Sequence, residues 1–277
     1  MFFLFRGNKK NTERLNQIRV KKKFMRVFDG FTYNGESGML NLRIQELRHV
    51  VDLHILVEST KTFSGAERPI MYDPTTIPDG LRHKVVHVVV DDSPGDGDAW
   101  SREHHQRDAI RRGLPDDVVA EDILMISDVD EIPNPRAVEW LLRQEPILRG
   151  VWAFRMDFYY YDTDHLKAQK WFHARAVAAS CPTPPSIVRM GPIDGGVIPV
   201  HGGWHLSYFM TADQIADKIR SFSHQEYNTP EFTDPGAISD RIHNNKDLFD
   251  RPDEHFVCVD NAELPAHIAL IEPPPQA

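Results

Sequence analysis

The chain has 277 residues, of which 41% are hydrophobic and 26% charged, with 32 Lys and Arg against 41 Asp and Glu. This composition excludes collagen-like, coiled-coil and wholly disordered chains, and the length suits one α/β domain with a substantial core. A net charge of −9 excludes a general nucleic-acid binder, which needs a basic face.

The charge is uneven. Residues 1–26 carry nine Lys and Arg and one acid, Glu13, whereas the other 251 carry 23 and 40, a balance of −17. The basic arm, bounded at 1–23, is expected to be a solvated tail, with a weak contact to acidic lipid as the alternative. An anionic substrate would need local cations or a metal, because the body as a whole repels it. Cys181 and Cys258 do not make a disulfide framework and are expected to be free thiols, as in a reducing compartment. No stretch approaches a membrane span, and Met1–Phe5 is too short for a secretory apolar region. The expectation is a cytoplasmic protein, peripheral to a membrane only if the arm meets lipid.

Four short apolar runs each end in acids: Met25–Phe28 before Asp29, Leu53–Val57 before Glu58, Val85–Val90 before Asp91, and Ile123–Ile126 before Asp128. Such runs fit strands buried on both faces of a parallel sheet. Between them, Leu40, Ile44, Leu47 and Val51 share a helical face, and a polar helix is expected over about 100–112. Asn134-Pro135 reads as a helix start, with Val138, Leu141 and Leu142 inward. Val151–Tyr161 is expected to be one strand, residues 178–200 a proline-rich loop, and Trp204–Phe209 another short strand. Thr211-x-x-Gln214 is a capping box before the stripe Ile215, Ile219 and Phe222. Asp234-Pro235 opens a last helix, and a Pro-rich tail is expected over 263–277. Alternating strands and helices give an α/β fold with a mostly parallel central sheet, a single domain over 24–262, with ligands at the carboxyl ends of its strands.

Four constellations carry candidate chemistry. Ser127-Asp128-Val129-Asp130-Glu131 crowds three carboxylates at a buried strand's end, which is costly unless a cation or donors compensate. On an extended strand Asp128 and Asp130 share a face and can approach one hard cation, as a nucleotide-diphosphate substrate requires. Trp100-x-Arg102-Glu103-x-x-Gln106-Arg107 places arginine forks on a helix, for a diphosphate or for a Glu103–Arg107 surface pair. In Gly203-Trp204-His205, the Trp face suits a sugar and His205 a metal or phosphate, or else His205 is a core residue. Ser221–Glu226 offers a carboxylate or His as general base, or else a polar helix end. The chain has no G-x-S-x-G elbow, Walker A loop or H-E-x-x-H motif.

Taken in order over about 24–256, these segments resemble glycosyltransferase family 17. The blocks are Phe28-Asp29-Gly30-Phe31, Val57-Glu58-Ser59, the Trp100–Arg107 motif, Ser127–Pro133, Gly203-Trp204-His205-x-Ser207-Tyr208 and Lys218-Ile219-x-Ser221-Phe222-Ser223-His224-x-Glu226. The resemblance implies a GT-A type, Rossmann-like domain. It implies a UDP-sugar donor, UDP-N-acetylglucosamine, a glycan acceptor and an inverting, β-forming transfer. Asp128, Asp130 and His205 would hold a divalent metal, Mn2+ or Mg2+. Asp29, Glu58, Arg102, Arg107, Asp128 and Trp204 would contact the donor, and Glu226, then Asp157, would be the base. The acceptor stays open between an N-glycan, a surface glycan and a lipid-linked sugar. Two other readings remain: a nucleotidyltransferase or related phosphoryl-transfer enzyme on the same acidic strand end, and a non-catalytic glycan-binding module using Trp100, Trp171 and Trp204.

Overall fold

The computed structural model describes residues 25–95, 97–144, 148–252, 254–257 and 262–271; the expected arm over 1–23 and Cys258 lie outside them. Cys181 is a half-buried free thiol. The first half runs β1 (Val27–Thr32), α1 (Ser37–Leu47), β2 (Leu53–Ser59), a short α2 (Asp79–Arg82), β3 (Val85–Val90), α3 (Ala99–Asp108) and β4 (Ile123–Asp128). The chain continues through β5 (Glu131–Pro133), α4 (Pro135–Leu141), β6 (Trp152–Ala153), β7 (Met156–Tyr160) and β8 (Leu166–Lys167). Then come β9 (Arg175–Ala178), α5 (Pro185–Met190), β10 (Gly196–Val197), β11 (Gly203–Ser207), α6 (Ala212–Ser221), α7 (Pro230–Thr233), α8 (Pro235–His243) and β12 (Phe256–Val257).

The central sheet has the order β10-β6-β9-β4-β1-β2-β3. Strands β3, β2, β1 and β4 are parallel neighbours, and β9 joins β4 antiparallel. The runs are largely apolar because both faces are covered. Phe28, Ile55, Val57, Leu124 and Ile126 pack on one face with Ala109 and Ile110. Phe31 and Leu56 pack on the other with Leu40 and Ile44 of α1. Gly30, in the middle of β1, faces Ile110 so closely that an added Cβ would overlap Ile110 Cγ2. This is the single-domain α/β architecture with a mostly parallel sheet that the sequence implies.

A second sheet, β12-β8-β7-β11-β5, stands against the first. Its strand β5 begins only three residues after β4 ends, so the acidic run 127–131 is the junction where the chain leaves one sheet and enters the other. The local starts follow the sequence. Asp98 caps α3, Asn134 caps α4 with Pro135 at its first position, and Thr211 and Gln214 form the capping box of α6.

Four expectations change. Val151–Tyr161 is two strands: β6 belongs to the central sheet and β7 to the second, and the chain crosses over at Phe154-Arg155. Gly202 closes that crossing, since its N–H donates to the Arg155 carbonyl and a Cβ there would overlap the Arg155 backbone. The helix expected over 100–112 ends at Asp108 and tightens into a 3-10 turn over Ala109–Gly113. The 178–200 loop contains α5. The body does not stop at 262: Leu264, Ile268 and Ile271 pack on the core. Trp204 Nε1 donates to the Glu263 carbonyl at 2.6 Å, and His267 Nδ1 lies 2.9 Å from Glu46 Oε2. A buried indole N–H needs an acceptor, and this segment supplies it. Among the described residues, no helix is long and apolar enough to cross a membrane.

Candidate active site

A cleft of about 440 Å³ opens at the carboxyl ends of β1 and β4, between the two sheets. Thr32–Asn34 line it after β1, Glu103, Gln106 and Arg107 from α3, and Asp128–Asp130 from the junction. Arg189 of α5, His205, Ser207 and Tyr208 of β11 and its end, and Lys218 of α6 complete the floor.

Asp128 is the hub. Its Oδ1 accepts from Arg107 Nη1 at 2.6 Å and from Thr32 Oγ1 at 2.9 Å; its Oδ2 accepts from Arg189 Nη2 at 2.7 Å. Arg107 is itself braced by Glu103 at 2.8 Å. Arg189 forks onto the buried Glu131, at 2.6 Å and 2.7 Å, and Glu131 also accepts from the Asp128 backbone N–H at 2.9 Å. Burial pushes the Asp128 carboxyl up, but Arg107 and Arg189 outweigh it and hold the group well below the usual carboxylate range. The Arg189 guanidinium is correspondingly raised, Asp128 and Glu131 overcoming its burial. The two acids and two arginines compensate one another's desolvation, which a lone cluster of acids could not do.

Asp130 is differently placed. The strand ends at Asp128, so Asp130 sits in the turn and not on a shared strand face, although both acids reach the cleft. Asp130 Oδ2 accepts from Lys218 Nζ at 3.1 Å, and Oδ1 lies 3.8 Å from His205 Nε2. His205 is buried, stacked on Phe158 with ring centroids 4.5 Å apart, and 4.5 Å from Trp171. Burial pushes its imidazole down despite Asp130 and Glu131, so it is neutral at pH 7. Its Nδ1 has no hydrogen-bond partner among the described residues. Burial lowers Lys218, but Asp130 and Glu36 raise it further, so its ammonium stays charged.

The chemistry of this donor set fits a divalent cation. A neutral imidazole nitrogen and a carboxylate oxygen face each other at 3.8 Å, beyond hydrogen-bond distance. An N,O pair suits Mn2+ as well as harder ions. Among the described residues no group of three or more His, Cys, Asp or Glu is arranged around one point. The protein alone would therefore underfill the ion, as is usual where substrate phosphates supply the remaining oxygens.

Of the sequence candidates, the structure brings Arg107, Asp128, Asp130 and His205 together in the cleft and leaves six others outside it. Asp29 is fully buried, held by Arg43 at 2.5 Å and 2.9 Å and by His54 at 2.8 Å. Glu58 is buried too; it accepts from the backbone N–H of Met71 and Tyr72 and lies 3.1 Å from His87 Nε2. Its role is to fasten the loop after β2. Arg102 donates to the carbonyls of Phe63 and Gly97, tying two loops. Trp204 and His205 are neighbours on β11 and face opposite ways, so His205 takes the cleft and Trp204 the core. Asp157 likewise faces away, bonded to Lys170 and to His201 Nε2 at 3.2 Å. Glu226 is exposed on a 3-10 turn and pairs with His224 at 2.8 Å; His224, not Glu226, lines the cleft.

Arg189 and Lys218 were not among the sequence candidates. Arg189 lies in a segment without periodicity. Lys218 had a signal, because it falls between Ile215 and Phe222 on the inward stripe of α6.

The family model of glycosyltransferase family 17 matches residues 6–268. Human and rat β-1,4-mannosyl-glycoprotein 4-β-N-acetylglucosaminyltransferases are each 33% identical over 129 residues, 42% of this chain. That segment spans 23% of each relative's own length. Among solved structures, the chain is similar to Mycobacterium tuberculosis glucosyl-3-phosphoglycerate synthase. One structure, with Mn2+, UDP and phosphoglyceric acid, has a TM-score of 0.33 at 14% identity, covering 70% of this chain and 73% of that one. Another has a TM-score of 0.35 at 14% identity, covering 92% and 96%. With the family model spanning nearly its whole length, the chain belongs to glycosyltransferase family 17.

Proposed function

We propose that this enzyme transfers N-acetylglucosamine from UDP-N-acetylglucosamine to a saccharide hydroxyl, with inversion and a β-linkage, using a divalent metal. The observation that carries the reading is the convergence of three cations, Arg107, Arg189 and Lys218, with the Asp130–His205 pair on one cleft floor at the ends of parallel strands. The donor sugar and the linkage rest on the family and on the named activity of the relatives.

Asp130 and His205 would hold the ion, Mn2+ before Mg2+ because of the imidazole. When bound, the metal supplies Lewis-acid stabilisation of the leaving diphosphate. Lys218 adds a fixed positive charge beside Asp130, aimed at the same developing negative charge. Asp128 works as a positioning carboxylate: it clamps the Arg107 and Arg189 guanidiniums at the cleft floor, so that their charge need not be ordered on binding.

A thermal-shift series with UDP-N-acetylglucosamine, other UDP-sugars and nucleoside triphosphates, each with Mn2+ or chelator, tests the reading. The expected result is stabilisation by one UDP-sugar, lost with chelator and in Asp130→Ala, together with UDP release. Stabilisation indifferent to chelator would overturn the metal role. Pyrophosphate release from a nucleoside triphosphate would favour a nucleotidyltransferase instead.

A further inference from the structure

Past Lys218 the cleft continues into a half walled by aromatic rings, Tyr160 of β7, Tyr208 and Phe249, with Phe158 and Trp171 at its border against His205. The Tyr160 and Tyr208 rings are 5.1 Å apart, and Lys218 Nζ lies 5.4 Å from the Tyr208 ring. This half therefore adjoins the Asp130–Lys218 pair directly. Tyr208 is held at φ 59, a left-handed conformation costly for a bulky side chain and typical of ligand-binding positions. Broad apolar faces with polar edges suit the C–H faces of a pyranose ring.

Among the described residues, five carboxylates line the cleft: Glu36, Glu103, Asp128, Asp130 and Glu254. Four belong to the donor half. Glu103 and Asp128 are tied to arginines, Asp130 to Lys218, and Glu36 accepts from the Asn34 N–H at 2.8 Å and lies 3.8 Å from Lys218. Glu254 belongs to the aromatic half. Its Oε2 accepts from Lys167 Nζ at 2.9 Å, and Lys167 is a buried ammonium 4.3 Å from the Tyr160 ring centroid. Nearby, Arg251 Nη2 donates to the Tyr160 hydroxyl at 3.0 Å. Among the described residues, Glu254 Oε1 has no hydrogen-bond partner.

We propose that the aromatic half is the acceptor subsite, shaped for a pyranoside, and that Glu254 is the general base. The inference rests on the donor reading above. The acceptor O–H proton passes to the Glu254 carboxylate as the hydroxyl oxygen forms a bond to C1 of the sugar. On the opposite face the bond from C1 to the β-phosphate oxygen breaks, its electron pair leaving with UDP. The proton then passes from Glu254 to water. Lys167 is a positioning residue that fixes the carboxylate.

The test uses the full chain with Mn2+ and UDP-N-acetylglucosamine, with water or azide as nucleophile. Azide has no proton to lose. General bases contribute roughly 10²–10⁴-fold, so Glu254→Gln is expected to slow UDP release to water by at least about 100-fold. The same variant should form N-acetylglucosaminyl β-azide at nearly the wild-type rate and keep the Mn2+–UDP thermal shift, which reports an intact fold and donor half. Hydrolysis near the wild-type rate would overturn the assignment, as would parallel loss of hydrolysis and azide transfer. No UDP release from the wild type would instead overturn the donor reading, and the inference with it.

Discussion

Arg43 uses all its guanidinium donors inside the protein. Nε and Nη2 hold Asp29, Nη2 also meets Ser127 Oγ at 2.6 Å, and Nη1 reaches the carbonyls of Asp128, Val129 and Glu131 at 2.7–3.3 Å. Removing one partner of such a buried pair strands the other charge, so Arg43→Met should cost about 3–5 kcal/mol in urea unfolding. Arg43→Lys should rescue little, because a point charge cannot replace the fork. Burial pushes the Asp29 carboxyl up, but Arg43 and His54 more than reverse this and leave it far below the usual range. The unfolded chain thus binds a proton near pH 4 that the folded chain refuses until lower pH. The stability from this pair is complete above about pH 5 and is lost as pH falls below about 4; the Arg43→Met unfolding free energy should fall less steeply there. Asp128, Asp130 and Arg107 were legible because acids at a strand's end and arginines on the preceding helix have a chemical reason to meet. Arg43 was not: it sits between Leu42 and Ile44, where a helical reading expects a solvated side chain. Trp204 and His205 show a different limit, since alternation puts them on opposite faces without saying which face holds the ligand.

The parallel strands were readable as elements because burial on both faces writes itself as largely apolar runs. What periodicity could not reveal was the sheet each strand joins. The Val151–Tyr161 run is rich in aromatic and apolar residues, yet β6 and β7 part at Arg155, where the Gly202 backbone occupies the crossing. The β1 strand carries a sharper constraint, in that Gly30 leaves room for Ile110 from the 3-10 turn after α3. Gly30→Ala should destabilise by about 1–3 kcal/mol through overpacking. Combining it with Ile110→Ala should cost less than the sum of the two single changes, a non-additivity that a double-mutant cycle in chemical denaturation would measure.

At the scale of the whole molecule, the −17 of the body and an anionic donor are reconciled by placement. Lys61, Arg68, Arg107, Arg189, Lys218 and Arg251 all line one cleft. Residues 262–271 belong to this body. A chain ending at 261 would lose the carbonyl that receives Trp204 and the apolar contacts of Leu264, Ile268 and Ile271. It should be less stable by roughly 3 kcal/mol or more, seen as a Tm lower by roughly 5–10 °C. The 127–131 junction has the widest reach. Its carbonyls are gripped by Arg43, its side chains by arginines from α3 and α5, and the Leu206 N–H of the second sheet donates to the Asp130 carbonyl at 2.8 Å. A segment fastened to both sheets has no local route of opening. The backbone amides of Asp128 and Leu206 should therefore exchange with deuterated solvent as slowly as those in the middle of β1 and β4, through the same global event. Where most enzymes draw their working loops from the mobile part of the fold, this acidic turn would then belong to the last unit to unfold.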